Sequence, residues 1–330
     1  HLKQASDGVS YLLVDNQVLS TGTKRVRYYR YVSRALNAKG VESVANLGID
    51  FDPAWQKVQL HAVRVLRAGH AIDKLAGARI EVIQPEKELD DELIYNGSKT
   101  VKLFLQDVRP GDEVDYSFSV VGRNPVFEGH EFGGTDLQWG VPVARLRARL
   151  LVPDTMVLDV RTRNSTQQPL VSVHDGLRDY RWDMEHTQPL TVEEGAPDWY
   201  APYAEAEWSE FHDWGAVVQW ALPLYKVPDK LGPSLEAEAR RIERAEPTPA
   251  GRMLAALRFV QQEVRYLGVE TGRNTHAPNP PDLVFARRFG DCKDKVLLTM
   301  ALLRRLGVEA HPALVNTTMR RGIASRLPNP

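Results

Sequence analysis

The strongest constraint on this chain is a change in the spacing of its apolar residues. From about Tyr11 to about Trp182 they recur at every second position, and after Pro189 they recur every third or fourth. A period of two puts one set of side chains on one face of a strand, whereas a period near 3.6 lines them along one stripe of a helix. The expected fold class is therefore α+β, with an N-terminal β-sandwich followed by a helical unit. The polar, breaker-rich run Glu193-Glu194-Gly195-Ala196-Pro197 separates the two, giving expected domains at 1–195 and 205–330. At 330 residues the chain is long enough to bury two cores.

Within the first region, Val101, Leu103 and Leu105 alternate with Lys102, Phe104 and Gln106. After Arg109-Pro110-Gly111-Asp112, the set Val114, Tyr116, Phe118 and Val120 alternates again, and the pair reads as a β-hairpin. Val58 and Leu60 give way to Val63 and Val65, a change of phase that a bulge accommodates. Asp175-Gly176 supplies the positive φ of a tight hairpin between Leu170–Val173 and the Tyr180, Trp182 pair. Arg145, Arg147 and Arg149 alternate with Leu146, Ala148 and Leu150, so they read as a solvated sheet face rather than a phosphate-binding row.

In the second region Phe211, Trp214, Val218 and Ala221 share one helix face, and Trp208, Trp214 and Trp220 read as core packing rather than a sugar or base platform. Pro247 and Pro249 introduce a helix carrying Met253, Leu257, Val260, Val264 and Leu267. The segment Thr271 to Asp282 holds Asn274, His276 and prolines 278, 280 and 281, which deny it a regular ladder; such loops often wall a cleft. A last helix starts near Cys292, carries Val296, Met300, Leu303 and Leu306, and stops at Gly307, and Val308 to Val315 reads as a strand.

Several function classes are disfavoured. Lys and Arg total 42 against 43 Asp and Glu, so no strong field draws nucleic acid to the surface, and no nucleic-acid motif is present. Neither metal-ligand spacing nor a phosphate-binding glycine loop occurs, and no cofactor is implied. No apolar run approaches the roughly 18 residues of a spanning helix. The first residue is His1 rather than Met, which suggests a processed or trimmed start.

The chain has one cysteine, Cys292, in Gly290-Asp291-Cys292-Lys293-Asp294-Lys295. A lone cysteine is most often buried and inert. Here the spacing makes Asp291 an N-cap and Asp294 the third residue of a variant capping box, placing Cys292 in the first helical turn. There a sulfur faces unpaired amides and its own N–H could donate to an oxyanion. A helix end is worth only about 0.3–1 kcal/mol to an anion, about 2 at most. A fully activated thiol needs a close imidazolium in addition, so a histidine partner is a physical requirement.

The run Arg287-Arg288-Phe289-Gly290-Asp291-Cys292-Lys293-Asp294-Lys295, with Leu302-Leu303-Arg304-Arg305-Leu306-Gly307-Val308-Glu309-Ala310, resembles the nucleophile helix and following strand of bacterial transglutaminase-like proteins. Asp107-Val108-Arg109-Pro110-Gly111-Asp112 and Gly122-Arg123-Asn124-Pro125-Val126-Phe127 are similar to the N-terminal β-rich domain of unknown function that precedes the core in one group of them. The resemblance implies a papain-like core with a Cys-His-Asp triad, acting through an acyl-enzyme on a peptide or protein substrate. Only Cys292 carries over. In the family the histidine follows a Leu-Pro-x-Pro segment, which here is Leu327-Pro328-Asn329-Pro330, so the core is expected to be incomplete and this chain inactive alone. His311 falls where the family has no catalytic residue and reads as packing or surface. Asn274 and His276 suit a cleft wall, His276 being a secondary candidate base, and Tyr266 is a candidate oxyanion donor whose simpler reading is a buried phenol bonded to backbone. The resemblance also implies export to the periplasm or cell envelope. A competing reading is a non-catalytic peptide- or envelope-binding module on a degenerate scaffold.

Overall fold

A computed structural model describes residues 6–85, 93–197 and 199–330. The largest sheet has eight strands, in the order Leu170–His174, Leu177–Thr187, Val143–Pro153, Val9–Ser20, Arg25–Ala35, Glu113–Val121, Lys57–Arg67, His70–Asp73. Its neighbours are antiparallel except Val9–Ser20 and Val143–Pro153, which run parallel. Two three-stranded sheets cover one face. One is Asn46–Phe51, Lys99–Phe104 and Arg79–Ile83; the other is Phe132–Asp136, Glu205–Ser209 and Asp159–Arg163.

The alternation dictates this layering. The register sets Val14 opposite both Tyr31 and Leu146, so these share a face, and Tyr31 packs against both cores of the sandwich. One core gathers Val65, Leu103, Val114 and Phe118 under the first small sheet, and the other gathers Leu146, Leu150, Trp182 and Trp208 under the second. The reverse face carries the expected arginine row. Arg145 forks onto Asp183 at 2.9 and 2.8 Å, Arg149 onto Asp179 at 2.9 and 2.6 Å, and Arg30 onto Asp115 at 2.9 and 3.0 Å.

Two further sequence expectations hold in detail. The strand Lys57–Arg67 shifts register between Leu60 and Ala62, and Asp175 (φ 52°) with Gly176 (φ 72°) turns the hairpin that pairs His174 with Leu177. The hairpin expected between Lys99–Phe104 and Glu113–Val121 does not form. These strands belong to different sheets and face each other across the core, because their connection climbs from one layer to the other. Arg67 holds that connection by bonding Asp112 at 2.9 and 2.8 Å and Asp107 at 3.1 Å. Glu205–Ser209 lies beyond the boundary expected at residue 195 and is the middle strand of the second small sheet.

Helix α1 (Ala38–Ala45) lies within the sandwich; α2 (Trp214–Ala221), α3 (Pro233–Ala245), α4 (Pro249–Glu263), α5 (Pro281–Arg287) and α6 (Cys292–Arg305) follow it. Asp213, Thr248 and Asp291 cap α2, α4 and α6 through their side chains. The core of this half joins Leu235 and Ile242 of α3, Ala256 and Phe259 of α4, Val284 of α5, and Leu298 and Leu302 of α6. Each such aliphatic burial is worth about 1.5–3 kcal/mol.

The buried stripes overlap those expected and are broader: Phe211, Ala221, Val260, Val264, Leu303 and Leu306 are buried as expected. Met253 and Val296 are exposed, while Ala256, Phe259, Leu297 and Ala301 are buried. Each helix meets several others, so its buried stripe is broad and takes in alanines that a pattern of large residues overlooks. Val218 is likewise exposed and Val217 buried. Trp208 is core on a strand, as expected of the cluster, whereas Trp214 and Trp220 line a cavity. Val308–Val315 forms no strand, since no ladder partner lies beside it among the described residues and Pro312 removes one donor.

Candidate active site

Strand Phe289–Gly290, parallel to Arg265–Tyr266, delivers the chain to the start of α6. Asp291 caps the helix, its Oδ1 accepting the Asp294 N–H at 3.1 Å. The cap leaves Cys292 and Lys293, the first two helical residues, without intrahelical acceptors for their N–H groups. Cys292 is exposed, so it is presented rather than packed.

Beneath it lies a set of buried charges. Lys293 Nζ donates to Asp291 Oδ2 at 2.6 Å and to Glu270 Oε1 at 2.7 Å. Burial alone would lower the Lys293 pKa, but the two carboxylates outweigh it and raise it. The second half of the capping box is not made. Asp294 instead accepts from the Asn279 N–H at 2.6 Å, from Asn279 Nδ2 at 3.2 Å and from Arg287 Nη2 at 2.6 Å. Gly290 is required here, because a Cβ at this position would lie 2.7 Å from the Cβ of Asp294. Two cations, Lys293 and Arg287, thus meet three carboxylates, and the cluster brings no surplus positive charge to the sulfur.

Two phenols lie close enough to the cysteine to feel its charge. Tyr266 pairs with Gly290 in the short parallel ladder and is 40% exposed, so the expectation of a buried tyrosine bonded to backbone is corrected. A two-residue strand at the rim leaves its ring open to solvent. Tyr225, which follows α2, was not evident from sequence. Burial raises both phenol pKa values and proximity to Cys292 raises them further, keeping both hydroxyls protonated.

His276 stands edge-on to Phe127, with centroids 4.7 Å apart, and to Trp220 at 5.9 Å, and its Nδ1 is 3.0 Å from Thr275 Oγ1. Burial and then the charge of Lys293 lower its pKa to about 4, so it is neutral at pH 7 and lines the cleft wall. Asn274 Nδ2 donates to Asn279 Oδ1 at 3.3 Å, bracing the residue that holds Asp294. His311 is exposed and pairs with Glu309 at 3.0 Å, in keeping with a surface role.

The Gly122–Phe127 motif grips this loop from the sandwich. Asn124 donates to Thr275 Oγ1 at 2.7 Å and also caps the short turn Pro125–Phe127, while Val126 O accepts from Trp220 Nε1 at 3.1 Å. Arg123 is anchored to Glu131 at 2.6 Å, and that fully buried carboxylate also meets Arg25 at 3.0 Å and Trp208 Nε1 at 2.9 Å. A second tie runs through Ile94–Tyr95, parallel to Gly268–Val269. A cavity of about 1620 Å³ opens between the sandwich, α2 and the segment 312–330; Trp220, Tyr225 and His276 are part of its wall.

Comparison with known proteins places this geometry in context. Residues 23–191 match the model of a domain of unknown function, DUF3857, for which solved structures exist. No curated protein matches the chain. A crystal structure of a candidate protease from Parabacteroides distasonis superposes with a TM-score of 0.75 at 14% identity, covering 92% of this chain and 60% of that one. This chain therefore spans about 60% of the length of that neighbour, and the likeness is one of fold. An M1 zinc metallopeptidase from Deinococcus radiodurans reaches a TM-score of only 0.33 at 11% identity, over 62% of this chain and 43% of that one, and bears no argument. The matched span runs from the strand Arg25–Ala35 to the strand Leu177–Thr187, includes the Asn124 motif and covers just over half of the sequence, so the chain belongs to the DUF3857 family.

Proposed function

We propose that this chain is the nucleophile-bearing part of a thiol-dependent amide-bond enzyme, a peptidase, amidase or acyl transferase with a transglutaminase-like core over 205–330. The observation that carries the proposal is an exposed cysteine at a capped helix start, near two protonated phenols and beside a loop gripped by the sandwich. The overall fold shared with a candidate protease supports the same reading. In the proposed reaction Sγ attacks an amide carbonyl, the Cys292 N–H donates to the oxyanion, and Tyr266 or Tyr225 adds a second donor. As Sγ attacks, the thiol proton passes to a base that neither His276 nor His311 supplies; the same group, now protonated, gives that proton to the amine as the C–N bond breaks and an acyl thioester forms, and the reading assigns this group to another segment of the protein. The peptide substrate and an envelope location belong to the same proposal.

The test compares alkylation of Cys292 by iodoacetamide against pH in this chain and in a version extended by about 60–80 residues, a length set by ordinary strand and loop sizes. The reading expects the extended protein to react at markedly lower pH. Coincident profiles would refute it. They would favour the second reading, a peptide-binding module, which has one observation of its own: the large cavity is walled mainly by the sandwich, α2 and segment 312–330, and Cys292 is not among its lining residues.

A further inference from the structure

We propose that the sandwich carries a subsite for a cationic side chain of a peptide ligand, formed by the carboxylate of Asp136 together with the rings of Tyr29, Tyr31 and Trp139. All four residues line the large cavity. The rings form a continuous wall, with centroids 6.3 Å apart between Tyr29 and Tyr31 and 6.4 Å apart between Tyr31 and Trp139. Asp136 ends the strand Phe132–Asp136, in which Gly133 and Gly134 carry no side chains to obstruct the approach.

The cavity's carboxylates are not equivalent. Glu205 is taken by Arg163 at 3.1 Å and by Arg326, and Glu207 by Arg161 at 2.8 Å. Among the described residues no hydrogen bond or ion pair engages the Asp136 carboxylate, although it lies close enough to Tyr31 to help raise that phenol's pKa after burial, Tyr116 and Tyr29. Asp136 is exposed to the cavity, the protein packed on its other side raises its carboxyl pKa, and among the described residues it has no counterion. An anion beside aromatic faces is the chemistry that selects an ammonium or guanidinium, through charge and cation–π attraction together. Val217, Ala221 and Trp214 of α2 add an apolar wall against which an aliphatic stem could lie. Arg320 and Arg321 line the segment 312–330, so a ligand recognised by its anionic groups alone would engage that wall instead.

A lysine-bearing peptide is therefore the favoured ligand, an assignment that rests on the peptide reading above but not on the thiol. The test uses this chain with Cys292→Ser, titrated calorimetrically with acetyl-Gly-Lys-Gly-amide and with its norleucine counterpart. The lysine peptide should bind at least about tenfold more tightly, and Asp136→Asn should abolish that preference at unchanged melting temperature. Rising salt should narrow the gap in the parent and not in the variant. Equal affinity for the two peptides, no binding of the lysine peptide, or a preference that survives Asp136→Asn would overturn the proposal. Because the thiol is absent throughout, these outcomes are independent of whether Cys292 is a nucleophile.

Discussion

His276 makes stability depend on pH in a window where most groups are silent. Its ring is held neutral between Phe127 and Trp220, with a folded pKa of about 4 against 6.5 for an ordinary histidine. A depressed histidine pKa means the unfolded chain takes up the proton first, so the contribution is complete above pH 6.5 and drains away as pH falls toward 4. At about 1.4 kcal/mol per pH unit the ceiling is about 3.4 kcal/mol, of which about 2.5 would be lost by about pH 4.5. Carboxylates also begin to titrate near the lower limit, so the measurement must be a difference. Urea unfolding of the parent and of His276→Asn would be followed from neutral pH downward. The asparagine keeps a polar group near Thr275 but has no titration, so its intrinsic cost is constant with pH. The parent should lose about 2.5 kcal/mol more than the variant over the window. Parallel curves, or a His276 ring signal titrating near 6.5 in the folded protein, would show that the aromatic cage does not exclude the charged form.

Two substitutions probe the supports of the candidate site. Asp294→Ala strands Arg287 and the Asn279 amide in a buried setting and should cost about 3–5 kcal/mol by urea unfolding, whereas a cost under about 1 would mean that the carboxylate is solvated in solution. Asn124→Ala removes both the cap at Val126 and the bond to Thr275; it should cost about 1–2 kcal/mol and speed amide exchange across residues 271–282 more than elsewhere in the helical half.

What could be read from the sequence was local. Asp175-Gly176 encodes its own turn, the run from Val58 to Val65 changes phase within one strand, and Asp291 caps a helix that starts one residue later, so each expectation needed only neighbouring residues. The false hairpin at Lys99–Val121 failed because alternation identifies a strand without naming its partner. Edge pairing and face-to-face packing bury the same side chains, and only the course of the connection decides between them. The strand expected at Val308–Val315 failed for the complementary reason, since a ladder needs a second chain segment. The capping box was half right, as Asn279 and Arg287 compete for the Asp294 carboxylate and win it with four hydrogen bonds to its two oxygens. Tyr225 and the Asn124 grip depend on contacts between distant segments, which no periodicity records.

Presentation and activation of Cys292 are separable in this architecture. Presentation is complete: the cap, Gly290 and the Asp294 network fix the start of α6, and the loop beside it is tied to the sandwich at Asn124, Phe127 and Ile94–Tyr95. That coupling makes the sandwich a support of the loop beside α6 rather than an appendage, so a change at Asn124 should be felt at the thiol although the two belong to different halves. Activation has a different requirement. The charges near the sulfur leave no surplus cation, and His276 is held neutral by burial and the charge of Lys293. A helix end contributes about 1 kcal/mol to an anion, and the remainder of what a nucleophilic thiolate needs must arrive as a cation from outside this cluster. The surrounding charges therefore offer the sulfur no cation of their own, and under the proposed reading that cation is what a base elsewhere in the protein would bring.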